Sequence, residues 1–274
     1  MIVVQCLRRL RGPAGRTGTC ALALLALAAS PAAQAQGALV GGSVTVTSDY
    51  IYRGVSESDG QGALQADLHA ATTAGTFAGV WVSTRDRSLE PHTPAELQLY
   101  VGQRFSLGSD WTASLSGRAN YFVGAPTTHS DDYQELSAAL TWLDRYSVSV
   151  AVLPNAVRYS HFQYQYGPDG YAVDYYQPYR STALMIDASG QWLLREGLLG
   201  GGLYLTAAAG YYYSSQPGHA PPPALGYLYG NVGVALEGRR WRIDVGYFAA
   251  QGRAAQLFPY PVARRLAATV SWLF

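Results

Sequence analysis

The 274-residue sequence contains no lysine, and its only two cysteines, Cys6 and Cys20, lie in the first twenty residues. The rest of the chain therefore cannot be held together by disulfides, the usual support of small domains in oxidising compartments. Charged residues make up only 14%, against about 25% in ordinary globular domains. The sequence offers no basic surface of the kind that nucleic acid needs, and we expect no nucleic-acid partner.

An apolar run long enough for a membrane-spanning helix is also missing. Residues 20–29 form an uncharged apolar core, but ten residues are too few to cross a bilayer of ~30 Å, as an anchor helix would have to do. Arginines precede this core, and residues 33–35 (Ala-Gln-Ala) match the small-x-small pattern that a signal peptidase cleaves. We predict that residues 1–35 are an export signal that is removed and that residues 36–274 form one domain. Further along, glycine and proline interrupt the apolar stretches, which argues against a helical membrane protein.

What the sequence does have is a period-two alternation, which is clearest at the C-terminus. Leu266, Ala268, Val270, Trp272 and Phe274 alternate with small, polar or charged residues, so that one face of a strand is apolar. A chain that ends on an aromatic after such a strand resembles the closing strand of outer-membrane barrels. The resemblance implies that Trp272 and Phe274 belong to a signal read by the outer-membrane assembly machinery. The final strand of a soluble sandwich is the alternative.

The same alternation recurs along the chain in runs of about ten residues, the length that a tilted strand needs to cross a membrane. It predicts an all-β fold, a transmembrane antiparallel up-and-down β-barrel of twelve strands. An even number of strands brings both ends of the domain to one rim. The third strand is the least regular, since its apolar residues do not separate onto one face. The predicted strands are 43–56, 62–72, 76–85, 95–106, 110–124, 132–143, 146–158, 180–194, 199–213, 225–237, 240–251 and 263–274.

The lengths of the connections support the barrel independently. The connections after even-numbered strands are all tight, for example residues 144–145 and 238–239. Those after odd-numbered strands are mostly long, with 159–179 the longest, and only the first, near residues 57–61, is short. Short turns at one rim and longer extracellular loops at the other are typical of outer-membrane barrels. A soluble sandwich has no reason to sort its connections in this way.

A segment near the start of the predicted domain has a family resemblance. Residues 48–56 read Ser-Asp-Tyr-Ile-Tyr-Arg-Gly-Val-Ser, and residues 63–65 and 79–83 follow as Ala-Leu-Gln and Gly-Val-Trp-Val-Ser. Over residues 43–84 this pattern resembles the TorF-like putative porins of proteobacteria. The resemblance implies a Gram-negative outer-membrane barrel and brings no catalytic residues with it. Asp49 and Arg53, four apart on a predicted strand, are expected on one face, either paired or with Arg53 in a charged constriction.

The charged residues of the alternating strands are expected to face the barrel interior, because an arginine on the lipid side would cost about 2–4 kcal/mol near the midplane. Twelve strands suggest a slim or plugged pore. The candidate pore-lining residues are Asp49, Arg53, Asp67, Glu96, Arg104, Arg118, Glu135, Asp187, Arg242, Asp244 and Arg265.

The longest predicted loop is rich in tyrosine, including Tyr164, Tyr166 and Tyr171. These rings are candidates for stacking on solutes or narrowing the mouth. The alternative is an aromatic belt on strands that extend above the membrane, and replacing Tyr164 and Tyr166 by alanine tests the choice through solute preference.

No catalytic motif is present: the sequence lacks Gly-x-Ser-x-Gly, a phosphate-binding glycine loop and clustered metal ligands. His69 lies near Asp67 on one strand face, a pair that is more often an interior hydrogen bond than a catalytic dyad. We therefore expect a monomeric pore for small hydrophilic solutes in the lipids of the outer membrane, with no enzymatic activity, metal or cofactor. A non-conducting structural or adhesive barrel and, less favoured, a lipid-modifying enzyme remain as alternatives.

Overall fold

A computed structural model describes residues 39–85, 94–124, 131–166, 171–216, 223–258 and 261–274. Twelve of its strands form one closed antiparallel barrel in which each strand pairs with its neighbours in the chain, and the first and last strands pair to close it. The barrel strands are β1 (Leu39–Thr47), β4 (Ala63–Ala71), β5 (Thr76–Thr84), β6 (Ala95–Leu107), β7 (Trp111–Val123), β8 (Tyr133–Trp142), β9 (Tyr146–Tyr166), β10 (Tyr171–Leu198), β11 (Gly201–Ser214), β12 (Leu225–Glu237), β13 (Trp241–Ala250) and β14 (Arg264–Leu273).

Three smaller elements lie outside this ladder. Strands β2 (Ile51–Tyr52) and β3 (Val55–Ser56) pair with each other, and Val55 also forms an isolated bridge with Val262. A short 3-10 helix covers Gly252–Gln256. Within the described ranges, no helix is long and apolar enough to cross a membrane. The predicted fold class, an all-β barrel of twelve antiparallel strands, is confirmed.

The two faces of the barrel wall differ in the way that the alternation predicts. Large apolar side chains point outward and stay exposed, such as Leu115 at 56% and Val270 at 52%. The inward positions carry polar groups that bond between neighbouring strands, such as the Ser116 and Ser137 hydroxyls, 2.8 Å apart. In a soluble protein so much exposed apolar surface would be unfavourable, whereas lipid accommodates it.

The turn rim, where the barrel strands are joined by tight turns and where both ends of the described barrel lie, carries a partial ring of aromatic side chains. Trp111 stacks on Trp142 at a centroid distance of 6.1 Å, and Trp142 contacts Tyr146 at 5.4 Å. Tyr146 in turn meets Trp192 edge-on at 5.7 Å. Aromatic girdles of this kind mark the membrane–water interface of outer-membrane barrels.

The predicted first strand, 43–56, is wrong in its second half. The barrel strand β1 ends at Thr47, and residues 48–62 leave the wall and fold into the barrel interior, carrying the β2–β3 hairpin. We call residues 48–62 the inner segment. The prediction of a short first connection is therefore wrong, because Asp49 and Arg53 belong to the connection and not to the wall. The pattern of residues 48–56 looks like a strand because the hairpin itself is extended.

The predicted loop 159–179 is also largely strand. Strands β9 and β10 stay paired from Tyr166↔Tyr171 down to the turn rim, with one irregularity between Ser181 and Ala183. The tyrosine-rich stretch therefore continues a hairpin beyond its neighbours on the loop rim, where the longer connections lie. The side chains of Tyr164, Tyr166 and Tyr171 lie outside the described part of the structure, so their proposed contacts with solute stay a prediction.

Candidate functional site

The inner segment crosses the barrel at its loop end and reaches strands far from its origin. Its tip is a two-residue hairpin turn in which Arg53 and Gly54 both have positive φ, 49° and 77°, the conformation of a type I′ turn. From this tip the Arg53 Nη2 donates to Glu135 Oε2 at 2.8 Å. Glu135 is on β8, five places round the barrel from β1. The segment therefore spans most of the lumen.

Further contacts fix the inner segment to several walls. The Tyr50 hydroxyl donates to Glu96 Oε2 at 3.2 Å, and the Tyr227 hydroxyl donates to the carbonyl oxygen of Arg53 at 3.2 Å. Burial, followed by the nearby Glu96 carboxylate, raises the pKa of the Tyr50 phenol well above its ordinary value, so it stays a donor. On the other side, the Ala263 amide donates to the carbonyl oxygen of Gly54 at 2.8 Å.

Asp49 organises the base of the inner segment. Its Oδ1 accepts the Ser56 hydroxyl at 2.6 Å and lies 3.0 Å from the Ser58 hydroxyl. Its Oδ2 is 3.4 Å from Nη1 of Arg265 on β14. The expected pairing of Asp49 with Arg53 is therefore wrong, since each residue has a different partner. The Ser-Asp-Tyr-x-aromatic-Arg-Gly pattern encodes a compact loop whose own carboxylate holds it together.

Above the inner segment, the loop end is closed further by neighbouring chain. The Arg158 Nη1 donates to the carbonyl oxygen of Ser215 at 2.8 Å, and the Tyr159 amide donates to that of Leu257 at 2.9 Å. Leu257, next to the 3-10 helix, is fully buried. Among the described residues, cavities of about 80 and 180 Å³ lie against the inner segment.

The turn end of the lumen is open by comparison. Cavities of about 790, 490 and 310 Å³ lie there, lined by inward-facing side chains of the barrel wall. Serine, threonine, alanine and glycine occupy many of these positions, and their small size leaves the space. The interior is thus a wide polar vestibule at the turn end that narrows sharply at the inner segment.

The predicted charged residues divide between these two regions. Asp49, Arg53, Glu96, Glu135 and Arg265 surround the inner segment, and the Arg118 Nη2 lies 3.5 Å from Glu135 Oε1. Arg242 and Asp244 face the vestibule, where Arg242 pairs with Asp244 at 2.8 Å and with Glu237 at 2.7 Å. Asp187 accepts the hydroxyl of Tyr229, which lies beside the tip of the inner segment. Arg104 lies exposed beside the largest cavity. That all of them line a conducting pore stays a prediction.

Asp67 and His69 do meet on one face. The His69 Nδ1 lies 2.6 Å from Asp67 Oδ1, and the Tyr100 hydroxyl donates to Asp67 Oδ2 at 2.7 Å. This is a hydrogen-bonded cluster that faces the vestibule. Among the described residues, no serine or threonine hydroxyl group forms a hydrogen bond with His69. The same part of the chain contains no group of three or more potential metal ligands.

Sequence reasoning missed two important groups, Arg85 and Glu57. Arg85 directly follows β5; its side chain is 1% exposed, and its Nη2 pairs with the Glu57 carboxylate. Its guanidinium carbon lies 4.2 Å from the centre of the Phe122 ring. Arg85 is in phase with Phe77 and Trp81, whose rings face inward against Tyr100 and Tyr50. The sequence alone does not show that these rings face inward, so their phase could not place Arg85.

Comparison with protein families gives a match over residues 31–177, more than half of the chain. The family is described as a bacterial protein of unknown function (Gcw_chp). The chain belongs to this family. The matched Gcw_chp region includes the whole inner segment and strands β1 to β9. A search of curated protein sequences finds no match.

Several solved structures have a similar backbone at low sequence identity. The NanC porin is 9% identical, with a TM-score of 0.49 over 86% of this chain and 98% of that one. The KdgM porin is 8% identical, with a TM-score of 0.46 over 86% and 99%. The P. putida toluene transporter TodX is 10% identical, with a TM-score of 0.40 over 87% and 90%.

Proposed function

We propose that this Gcw_chp protein is an outer-membrane channel through which small hydrophilic solutes diffuse passively. The observation that carries the proposal is the closed barrel with an apolar outer face and a polar interior that holds open space. Such a wall separates lipid from water, and a polar lumen with open space can hold water and hydrophilic solutes. The resemblance of residues 43–84 to TorF-like putative porins supports the same function.

The cellular setting follows from the same proposal. Residues 1–35 act as the export signal, and the strand ending in Trp272 and Phe274 is read by the assembly machinery. The barrel sits as a monomer among outer-membrane lipids, with the turn rim on the periplasmic side and the longer connections outside. Solutes then pass between the vestibule and the outside through the constriction at the inner segment, where Arg53, Arg118 and Glu135 filter them by charge and size.

Single-channel current from the purified protein in a planar bilayer tests the proposal. We expect discrete conductance steps, and we expect Arg53→Asn to change their size and ion selectivity. Asparagine tolerates the positive φ of a type I′ turn, so this variant removes the guanidinium with little change to the hairpin. Arg104→Asn, at the wide end, is the matched control and should alter the current less. Silence from a protein that is demonstrably folded would overturn the channel.

A second candidate, a non-conducting structural barrel, is favoured by one specific observation. Among the described residues, the cavities against the inner segment are small, about 80 and 180 Å³. If the inner segment never moves or rearranges, the vestibule is a blind chamber. The same recordings decide between the two, because a blind chamber gives no steps in any variant that keeps the inner segment in place.

A further inference from the structure

The 80 Å³ cavity beside the inner segment has an unusual lining for a constriction. Basic side chains, Arg53 and Arg85, and acidic ones, Glu57, Glu96 and Asp131, face it together. Aromatic rings form much of the remaining wall, among them those of Tyr133, Tyr212 and Phe258. A space of this size holds a few waters or one small solute.

Arg85 is the group in this lining that most needs a ligand. Its side chain is 1% exposed, yet its Nε and Nη1 have no hydrogen-bond partner among the described residues. Glu96 Oε2 is 3.9 Å from Nη1, too far for a hydrogen bond. The Phe122 ring and the Glu57 carboxylate hold the guanidinium in place. A buried charged donor without an acceptor is destabilising, so a solute oxygen that accepts from Arg85 binds favourably.

The mixture of charges decides what kind of solute fits. A simple anion would meet the carboxylates of Glu57 and Glu96 as well as Arg85, and a simple cation would meet two guanidinium groups. A molecule that carries both charges avoids each repulsion: its carboxylate accepts from Arg85, and its ammonium lies near a carboxylate or over an aromatic face. Tyr212 and Tyr227, stacked at 5.4 Å, offer such faces.

We infer that this cavity binds a small zwitterion, of the chemical class of amino acids and betaines, with Arg85 as the residue that determines specificity. The inference rests on the proposed function, because it names the class of solute that would pass the constriction of the channel. Binding in the cavity, however, can be measured without any transport.

Saturation-transfer NMR on the purified protein folded in detergent tests the binding. We expect transfer to glycine betaine that serine displaces, and no displacement by acetate, choline or erythritol at equal concentration. Arg85→Gln removes one charge-assisted hydrogen bond and should weaken binding about tenfold or more. Arg85→Lys, which keeps the positive charge, should retain part of the binding affinity. Arg104→Gln, in the vestibule, is the matched control and should bind like the unaltered protein.

Folding of each variant is checked by the heat-dependent gel mobility of barrels, and a variant that does not fold is replaced by Glu96→Gln, which should also weaken betaine binding. Equal transfer to erythritol and betaine, or binding that is insensitive to Arg85→Gln in a folded barrel, overturns the inference. Liposome swelling in serine and erythritol then separates the two proposals. Swelling without betaine binding supports the channel and overturns the zwitterion site. Betaine binding without swelling or current supports the zwitterion site and overturns the channel.

Discussion

At the scale of single residues, the inner segment requires a glycine at position 54. Its φ is +77°, and a Cβ there would lie 2.5 Å from Ala250 Cβ and 2.8 Å from Tyr229 Cβ. We expect Gly54→Ala to destabilise the docked inner segment by roughly 1–3 kcal/mol, through strain and overlap. Amide hydrogen exchange should speed up in residues 48–62 while the barrel strands stay protected.

The matched control for this prediction is Gly108→Ala. Gly108 also has a positive φ, +83°, but nothing lies within 4 Å of a Cβ placed there. Alanine at position 108 therefore adds backbone strain without a steric clash, and its effect on hydrogen exchange should be confined to the β6–β7 turn. If both variants left residues 48–62 equally protected, the close approach of Gly54 to the wall would not be what holds the inner segment.

The charged residues show how far single-residue reasoning goes. Period-two alternation places Glu135 and Arg242 inward without any structure, because the phase of a strand is a local property. The alternation cannot predict that Arg53 pairs with Glu135, since Glu135 lies 82 positions away in the chain. Nor could it orient Arg85, because the strand's inward rings, Phe77 and Trp81, look like outward ones in sequence. Aromatic side chains suit a lipid face and a packed lumen equally well.

At the scale of elements, the inner segment should behave as a movable unit. Within the described part of the chain, its one strand-like link to the loop rim is the bridge between Val55 and Val262. Antiparallel partners have Cα atoms about 4.5–5.5 Å apart, within the range that a disulfide spans. We expect a Val55→Cys, Val262→Cys protein to conduct less when oxidised and to recover in reductant, as measured by single-channel current.

Each single cysteine variant is the control, because neither can close the link and both should conduct alike with or without reductant. No cysteine follows Cys20, so no competing pair can form in a protein produced without residues 1–35, the proposed export signal. Equal currents from the oxidised and reduced double variant would show that solutes pass without any movement of the inner segment.

The elements also show where the sequence pattern stops being informative. Strands β12 and β8 match their predicted limits closely, since turn residues bound them on both sides. Strand β1 does not, because Ile51–Tyr52 and Val55–Ser56 are themselves extended and alternate as a wall strand would. Strands β9 and β10 run beyond the predicted limits because tyrosines suit extended structure inside and outside a membrane. Local periodicity predicts which segments are extended. Tertiary contacts decide which sheet each extended segment joins.

At the scale of the whole molecule, the barrel is asymmetric along its axis as well as across its wall. The largest described cavity at the turn end holds about 790 Å³, while those against the inner segment hold about 80 and 180 Å³. In the proposed channel, solute selection therefore belongs to the inner segment, and the wide end contributes access. The wall around both regions must face lipid, and this requirement can be tested directly on neighbouring residues of one strand.

Leu115 and Ser116 are adjacent on β7 and point to opposite faces: Leu115 is exposed outside, and Ser116 bonds Ser137 inside. If the barrel spans a bilayer, Leu115→Arg should destabilise it by about 2–4 kcal/mol near the midplane, because the charge must enter lipid. Ser116→Arg places the same charge among the polar side chains of the vestibule and should cost much less. Equilibrium urea unfolding in lipid vesicles measures both variants. Equal losses, or a larger loss for Ser116→Arg, would mean that the apolar face does not lie in lipid.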